Sequence, residues 1–247
     1  MKILIFSITY FPYVGGAEVA VKEITDRVGR AGVFEFDLIT AKLDKKLPNY
    51  EKIGNVNVYR VGHGWILDKY FYPFLAYRKA KKLHKKQNYS IVNAIMANYA
   101  GIAALFFKWK YPNVKYLLNM QSGDSDFFMW LRTWFWYPIY KMVYTKADFI
   151  QPISNWLAQR AKKYGYKGEM KVVPNGVDGG RFKILDFRLK IADLKKQLGI
   201  NEDEKVIITV SRLVEKNGIE DLIRAMRMLK QTPPIPPLSR GGGERVK

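Results

Sequence analysis

Cysteine is absent from the chain, and histidine is reduced to His63 and His84, far apart in sequence. The first absence excludes disulfides and thiolate metal sites, and the second leaves no histidine cluster, so no structural metal is expected. Acidic residues are scarce too: 22 Asp and Glu face 42 Lys and Arg, for a formal charge of +20. That imbalance points to polyanionic partners, namely nucleotide phosphates, anionic lipid headgroups or nucleic acid. No helix-turn-helix, zinc-finger or RNP-type pattern accompanies the charge, and the basic residues are spread over several predicted helices, so nucleic acid is not the expected partner. Long apolar runs are also missing. The longest, Phe127 to Val143, is interrupted by Arg132, Pro138 and Lys141, which excludes a spanning helix of about 20 largely uncharged residues. The N-terminal run breaks at Pro12 and Gly15 without a small-residue cleavage site, so no signal peptide is expected and the cytosol is the expected compartment.

What is present is a chain of 247 residues, 48% hydrophobic, in which short β-branched runs alternate with longer amphipathic ones. That alternation predicts an α/β fold of βα units around a mainly parallel, doubly wound sheet. Strands are expected at Lys2–Thr9, Phe36–Thr40, Val56–Val61, Ile91–Ala94, Lys115–Met120, Phe149–Ile153 and Lys171–Val173. Helices are expected at Ala17–Arg30, Phe74–Lys86, Tyr99–Trp109, Phe127–Tyr144 and Asn155–Tyr164. In such a sheet ligands sit beyond the C-terminal strand ends, so Thr9–Glu18, Gln121–Asp126 and Pro174–Asp178 should converge on one cleft. The stretch MKILIFSITYFPYVGGAE is the strongest local signal. A strand runs through a proline turn into two glycines and a helix start, where bare backbone N–H groups can approach a phosphate. The GxGxxG spacing of a dinucleotide fold is lacking.

A second start follows. Leu189–Leu198 reads as a polar-faced helix or linker, Val206–Ser211 as a buried-type strand, Arg212–Gly218 as a charged loop and Ile219–Leu229 as a helix. The final QTPPIPPLSRGGGERVK has four prolines and a glycine triplet and no apolar periodicity, so disorder or an extended polyproline conformation is expected there. A lone βα unit cannot bury its apolar face. The expected layout is therefore a domain over 1–185, a linker or helix over 186–205, the first βα unit of a truncated domain over 206–230, and a disordered or read-through tail over 231–247. A proline-rich ligand is the alternative for the tail.

Three segments in order, TYFPYVGGAE, then ADFIQPISNWLAQRAKKYG with KVVPNGVDGGRF, then VIITVSRLVEKNGIEDLIRAM, resemble the GT-B glycosyltransferases of family 4. The resemblance covers Met1 to about Leu229. It implies two facing Rossmann-like domains, the N-terminal one for the acceptor and the C-terminal one, only begun here, for a UDP- or GDP-sugar. It further implies transfer with retention of configuration to a glycan or lipid-linked acceptor in envelope or polysaccharide synthesis, with no metal and no other cofactor.

Carried onto this chain, the resemblance makes Gly15 and Gly16 the loop that approaches the donor phosphate or transferred sugar, where a side chain would fill the ligand's space. Glu18 opens the following helix as an acceptor contact or as an acid favoured by the helix dipole. Arg212 stands where the family's arginine meets the donor pyrophosphate, and Lys216 neighbours the position of the family's lysine, which is Asn217 here. Guanidinium and ammonium groups there would stabilise the departing nucleoside diphosphate. Many relatives have a histidine near the reacting sugar where this chain has Gln121. An amide donates a hydrogen bond but is no general base, so Gln121 becomes a positioning group for catalysis, with the leaving phosphate accepting the acceptor's proton. Ser122 and Asp124 are its acceptor-side neighbours, or a polar turn capping the next helix. Asn175, Gly176 and Asp178 match a PNGVD motif at the cleft and suit a tight turn. The family's distal pair of donor-binding glutamates would fall beyond residue 247, so little or no transfer is expected from this stretch alone. A non-catalytic acceptor-binding or membrane-surface protein, completed by a second polypeptide, is the alternative.

The run YRKAKKLHKK at Tyr77–Lys86 clusters cations on one helix, and Phe127–Tyr144 is crowded with aromatic rings. Two readings stand side by side: an anionic membrane surface at the cytoplasmic leaflet, to which the resemblance lends weight, or a solvated face plus a core helix.

Overall fold

The structure is a computed structural model, and it describes residues 1–65, 67–121, 137–180, 187–201, 203–211 and 213–231. Two compact units divide the chain, Met1–Asp178 and Gly179–Lys247. In the first, β1 (Lys2–Phe6), β2 (Glu35–Ala41), β3 (Tyr50–Ile53), β4 (Val56–Val61), β5 (Ile91–Ile95), β6 (Lys115–Met120), β7 (Phe149–Pro152) and β8 (Glu169–Met170) form one sheet in the order β3-β4-β2-β1-β5-β6-β7-β8. Every neighbouring pair is parallel except β3 with β4. Helices α1 (Gly16–Gly29), α2 (Asp68–Gln87), α3 (Tyr99–Lys110), α4 (Tyr137–Thr145) and α5 (Asn155–Lys163) connect the strands.

The chain moves from β1 to β2 in one direction across the sheet and from β4 through β5, β6 and β7 to β8 in the other. With right-handed crossovers, α1 falls on one face and α2 to α4 on the opposite one. Alternation within β1 records this: Leu4 and Phe6 join the core under α2 and α3, whereas Ile5 joins Ala17 and Val21 of α1. The α2–α3 layer sits close to the sheet because its inward positions are small. Ala76, Ala80, Ala100, Ala103 and Ala104 are fully buried, and at Gly101 an added Cβ would stand 2.5 Å from Val143 Cγ1 of α4.

Several elements differ from the sequence expectation. Helix α2 begins at Asp68 rather than Phe74, with Pro73 inside it. In the second turn the proline removes a single i→i−4 bond, which the rest of the helix tolerates. Strand β3 was not expected, because YEKI carries charge and no apolar alternation; it is an antiparallel edge strand, where charge is favoured. Strand β8 is Glu169–Met170, yet the expected Lys171–Val173 lies alongside β7, with Lys171 N–H donating to Ile150 O at 3.2 Å and Val173 N–H to Pro152 O at 2.9 Å. Residues 122–136, which include the start of the expected helix Phe127–Tyr144, lie outside the described residues, as does most of the 231–247 tail.

The second unit contains α6 (Phe187–Gln197), a 3-10 turn at Glu215–Asn217 and α7 (Ile219–Gln231). The strand expected at Val206–Ser211 is absent: the segment is not in a ladder, and Ile208 and Val210 are 81% and 93% exposed. A strand needs a neighbour to bond its backbone, and the described residues of this unit supply none. Helix α7 likewise leaves Ile223, Met228 and Leu229 exposed.

The contact between Gly101 and Val143 gives a direct check on the α3–α4 packing. Gly101→Ala is expected to lower the urea-unfolding free energy by about 1–3 kcal/mol through overpacking, and adding Val143→Ala should recover part of that loss. Equal, additive losses would show that the two positions do not meet.

Candidate functional site

Strand order reverses at β1, which has β2 on one side and β5 on the other. The crevice beyond the C-terminal ends of these two strands is the ligand position such a topology creates. Four helices, α1, α2, α3 and α5, each follow a strand and so begin at this edge. Their unpaired N–H groups and dipoles make it a favourable place for an anion. Gly15 caps α1 with no side-chain bond, while Asn98 and Ser154 cap α3 and α5, accepting from Ala100 N–H at 2.8 Å and Leu157 N–H at 3.3 Å.

The glycine loop is held from below. Glu18 is 8% exposed and accepts a 2.5 Å hydrogen bond from Thr9 Oγ1. A Cβ on Gly15 would lie 2.6 Å from Glu18 Oε2, whereas one on Gly16 would meet nothing within 4 Å. Gly16 therefore borders open space, and Glu18 serves the loop from inside. The preceding turn is anchored by Arg60, whose guanidinium donates to Phe11 O at 2.6 Å and Pro48 O at 3.2 Å and pairs with Glu51 of β3. Sequence reasoning passed over Arg60. Its signal was a cation in the inward register of VNVYRV, following Val56 and Val58, both fully buried.

Met96 was also missed. It follows β5 at the reversal point with φ of +72°, in the left-handed region that a non-glycine side chain rarely occupies, and its N–H donates to Asn119 O at 2.8 Å. Such a conformation costs energy and persists only where its surroundings enforce it. No sequence signal marked it.

Gln121 follows β6 at the same edge, and its Oε1 accepts from Asn175 Nδ2 at 3.3 Å. The NMQ and PNGVD segments are thus brought together. Asp178 goes elsewhere: it pairs with Arg27 Nη2 at 3.2 Å, in the last turn of α1 and about 16 Å along the helix from Gly16 at 1.5 Å per residue. The tight turn expected at 175–178 is not formed, the nearest lying at 179–180, and Gly176 is not among the glycines with positive φ; Val173 N–H instead bonds Pro152 O and Asn175 bonds Gln121. Ser122, Asp124 and Arg212 lie outside the described residues, as does the side chain of Lys216.

Beside Gln121, a cavity of about 240 Å³ runs under α1. Its walls are mostly aliphatic, with Asn93, Asn119, Gln121 and Gln151 along one side. Asn93 and Asn119 each bury an Oδ1 without a hydrogen-bond partner. Among the described residues no group of three His, Asp or Glu side chains is placed to hold a metal. His84 packs against Tyr111 and Phe107 near the C-terminal end of α2, at the opposite edge of the sheet, and burial pushes its imidazole below the usual value. The edge thus offers N–H donors and amides, a set suited to binding phosphate and hydroxyl groups, while the buried carboxylates of Glu18 and Asp68 are turned to their own loops.

The model of Glycosyltransferase Family 4 matches residues 14–181. The chain belongs to that family. A second model, Glycosyl transferases group 1, matches residues 190–245 and so continues through the proline- and glycine-rich segment. Among family relatives, the chain is 30% identical over 244 residues to the uncharacterized glycosyltransferase MJ1607 of Methanocaldococcus jannaschii, covering 92% of this chain and 59% of the relative. It is 20% identical to the alpha-monoglucosyldiacylglycerol synthase of Streptococcus pneumoniae, covering 98% and 56%. The chain thus spans less than two thirds of the length of these relatives. The fold resembles that of sucrose-phosphate synthase from Thermosynechococcus elongatus, with a TM-score of 0.71 at 20% identity over 92% of this chain and 60% of that one. It also resembles Anabaena HepE, solved in complex with UDP-glucose, with a TM-score of 0.65 at 18% identity over 95% and 58%. The expected α/β, Rossmann-like fold is therefore established for the first unit, and the solved proteins it resembles are glycosyltransferases of the GT-B kind.

The segment His63–Trp65, just before α2, hangs on Asp68. Burial pushes this carboxyl up, but hydrogen bonds from the N–H groups of Trp65 at 2.9 Å, His63 at 2.6 Å and Gly64 at 2.8 Å outweigh it and hold the carboxyl below its usual range. A depressed carboxylate contributes stability that is complete above its unfolded value and is lost as pH falls through the folded one. Asp68→Asn should therefore cost about 1–3 kcal/mol at neutral pH, with parent and variant converging as pH falls below the carboxylate range. Urea midpoints measured across pH check this; a gap that stays constant into acid would contradict it.

Proposed function

We propose that the chain carries the acceptor side of a retaining, nucleotide-sugar-dependent glycosyltransferase that acts on a glycan or lipid-linked acceptor at the cytoplasmic face of a membrane. The observation carrying this reading is the open space at Gly16 on the same sheet edge as Gln121 and Asn175, in a member of this family. The donor is a UDP- or GDP-sugar, consumed as substrate, with no metal or other cofactor required. HepE in complex with UDP-glucose and the diacylglycerol-linked product in the name of the streptococcal relative support these two substrate classes.

In this reading the N–H groups at the start of α1 face the donor's phosphate or transferred sugar, and Gln121, oriented by Asn175, fixes a sugar hydroxyl. Glu18 shapes the glycine loop and stays off the reacting atoms. The acceptor hydroxyl gives its proton to the departing phosphate, which the absence of a base at Gln121 requires. The family resemblance alone assigns Arg212 and Lys216 to the charge of the leaving diphosphate.

Incorporation of label from UDP- and GDP-sugars into a lipid extract, with the anomeric configuration read by NMR, tests the proposal. Slow transfer with retained configuration is expected, falling about ten-fold or more in Gln121→Ala and in Gly16→Val, while Gly16→Ala, whose Cβ meets nothing within 4 Å, should leave the unfolding midpoint near that of the parent. An inverted product would overturn the retaining mechanism. No incorporation from any donor, with vesicle capture intact, would assign the chain instead to non-catalytic surface binding.

A further inference from the structure

The outward line of α2 has two halves of different chemistry. Leu67, Tyr70, Phe71 and Phe74 follow one another at helical spacing and are 55%, 47%, 62% and 51% exposed. The same line continues through Arg78, Lys81, Lys82 and Lys85 toward the C-terminal end. The inward positions Tyr72, Ala76, Ala80 and Leu83 are buried, so the outer rings are surplus to the core. Helix α3 extends the apolar half sideways: Phe74 meets Phe106 at 5.5 Å between centroids, and Phe106 meets the exposed Trp109 at 5.6 Å. Lysines already flank rings here, with Lys69 Nζ 5.0 Å from the Tyr70 centroid and Lys81 Nζ 4.6 Å from that of Tyr77. No carboxylate of the described residues pairs with Arg78, Lys81, Lys82 or Lys85.

Exposed rings grouped in this way on a soluble surface call for a partner. A protein interface would ask for acids facing this cationic run and would leave the aromatic half to a complementary apolar pocket. A bilayer with anionic headgroups satisfies both halves at once: rings enter the headgroup–acyl boundary while lysine and arginine stems lie along it and place their charges among phosphates. The aromatic half also stands at the right edge. It begins just after β4 ends, at the sheet edge that holds Gly16 and Gln121, so rings anchored in lipid would present the cleft to headgroups beside them.

We infer that the outer face of α2 and α3 is an anionic-membrane docking surface, with Tyr70, Phe71, Phe74 and Trp109 as inserted anchors and Arg78, Lys81, Lys82 and Lys85 as the electrostatic contact. This deepens the proposed function and rests on it only for the identity of the acceptor. It relocates the aromatic contribution, because the described end of the Phe127–Tyr144 run supplies Tyr140, Val143 and Tyr144 to the core.

The test is sedimentation of the full chain with vesicles of phosphatidylcholine alone or mixed with phosphatidylglycerol, at low and moderate salt and without any sugar donor. Capture by the mixed vesicles should persist at moderate salt. It should drop about ten-fold or more in Phe71→Ser/Phe74→Ser, a loss far larger than the small fall in unfolding midpoint expected from the Phe74–Phe106 contact, with the far-UV circular dichroism unchanged. Lys82→Glu/Lys85→Glu should weaken capture well beyond the matched reversal Lys162→Glu/Lys167→Glu on another surface. Equal losses in the two charge reversals would reduce the effect to the overall +20 charge and overturn the inference. So would full capture by the double serine variant, or a dimer that this variant dissolves, which would give the face to a second copy. Transfer to a water-soluble acceptor is independent of this surface, so failure here leaves the glycosyltransferase reading standing and failure there leaves this one.

Discussion

Parallel pairing of β1 with β2 on one side and β5 on the other is the constraint from which the site follows. It puts successive crossovers on opposite faces and leaves a crevice between the two loops that leave β1 and β5 at the C-terminal edge. Everything placed at that edge is placed by this pairing: the bare N-terminus of α1 at Gly15 and Gly16, the capped start of α3 at Asn98, and Met96 in its left-handed conformation. Supports reach the same edge from farther out. Arg60 ties the Phe11 carbonyl to β3 through Glu51, and Asp68 gathers three N–H groups at the entrance to α2.

Much of this was legible because burial selects residue types. Strands β1, β2, β4, β5, β6 and β7 are buried on one or both faces and read as aliphatic runs, and the helices between them carry the spacing that a buried stripe demands. Strand β3 was not legible, since an edge strand is stabilised by backbone pairing to β4 while its side chains remain polar. The reverse occurred at Val206–Ser211, where side chains suited to a core meet no neighbouring strand. Local pattern states what a segment can do, and pairing decides whether it does.

The site divides in the same way. The places of Gly16 and Gln121 at the C-terminal edge were readable, one from a strand–glycine–helix junction and the other from its position after β6. Arg60 was readable in principle as a charge in an inward register. Met96 and the Asn175–Gln121 contact were not, because they depend on backbone strain and on a meeting of segments far apart in the chain. Asp178 shows the limit of motif reading: a residue carried in a cleft motif pairs with Arg27 at the far end of α1, where it steadies the exit of the chain from the first unit.

The central claim is that the Gly16–Gln121–Asn175 edge is a binding surface for a nucleotide-sugar. Amide chemical-shift mapping of the isotopically labelled full chain with UDP-glucose, at moderate salt, addresses it most directly because it detects even weak binding and locates it. The account predicts shifts concentrated at Gly15, Gly16, Gln121 and Asn175, with the amides of Lys82 and Lys85 unmoved. Shifts confined to the lysine-rich half of α2, or spread evenly over the basic surface, would contradict it.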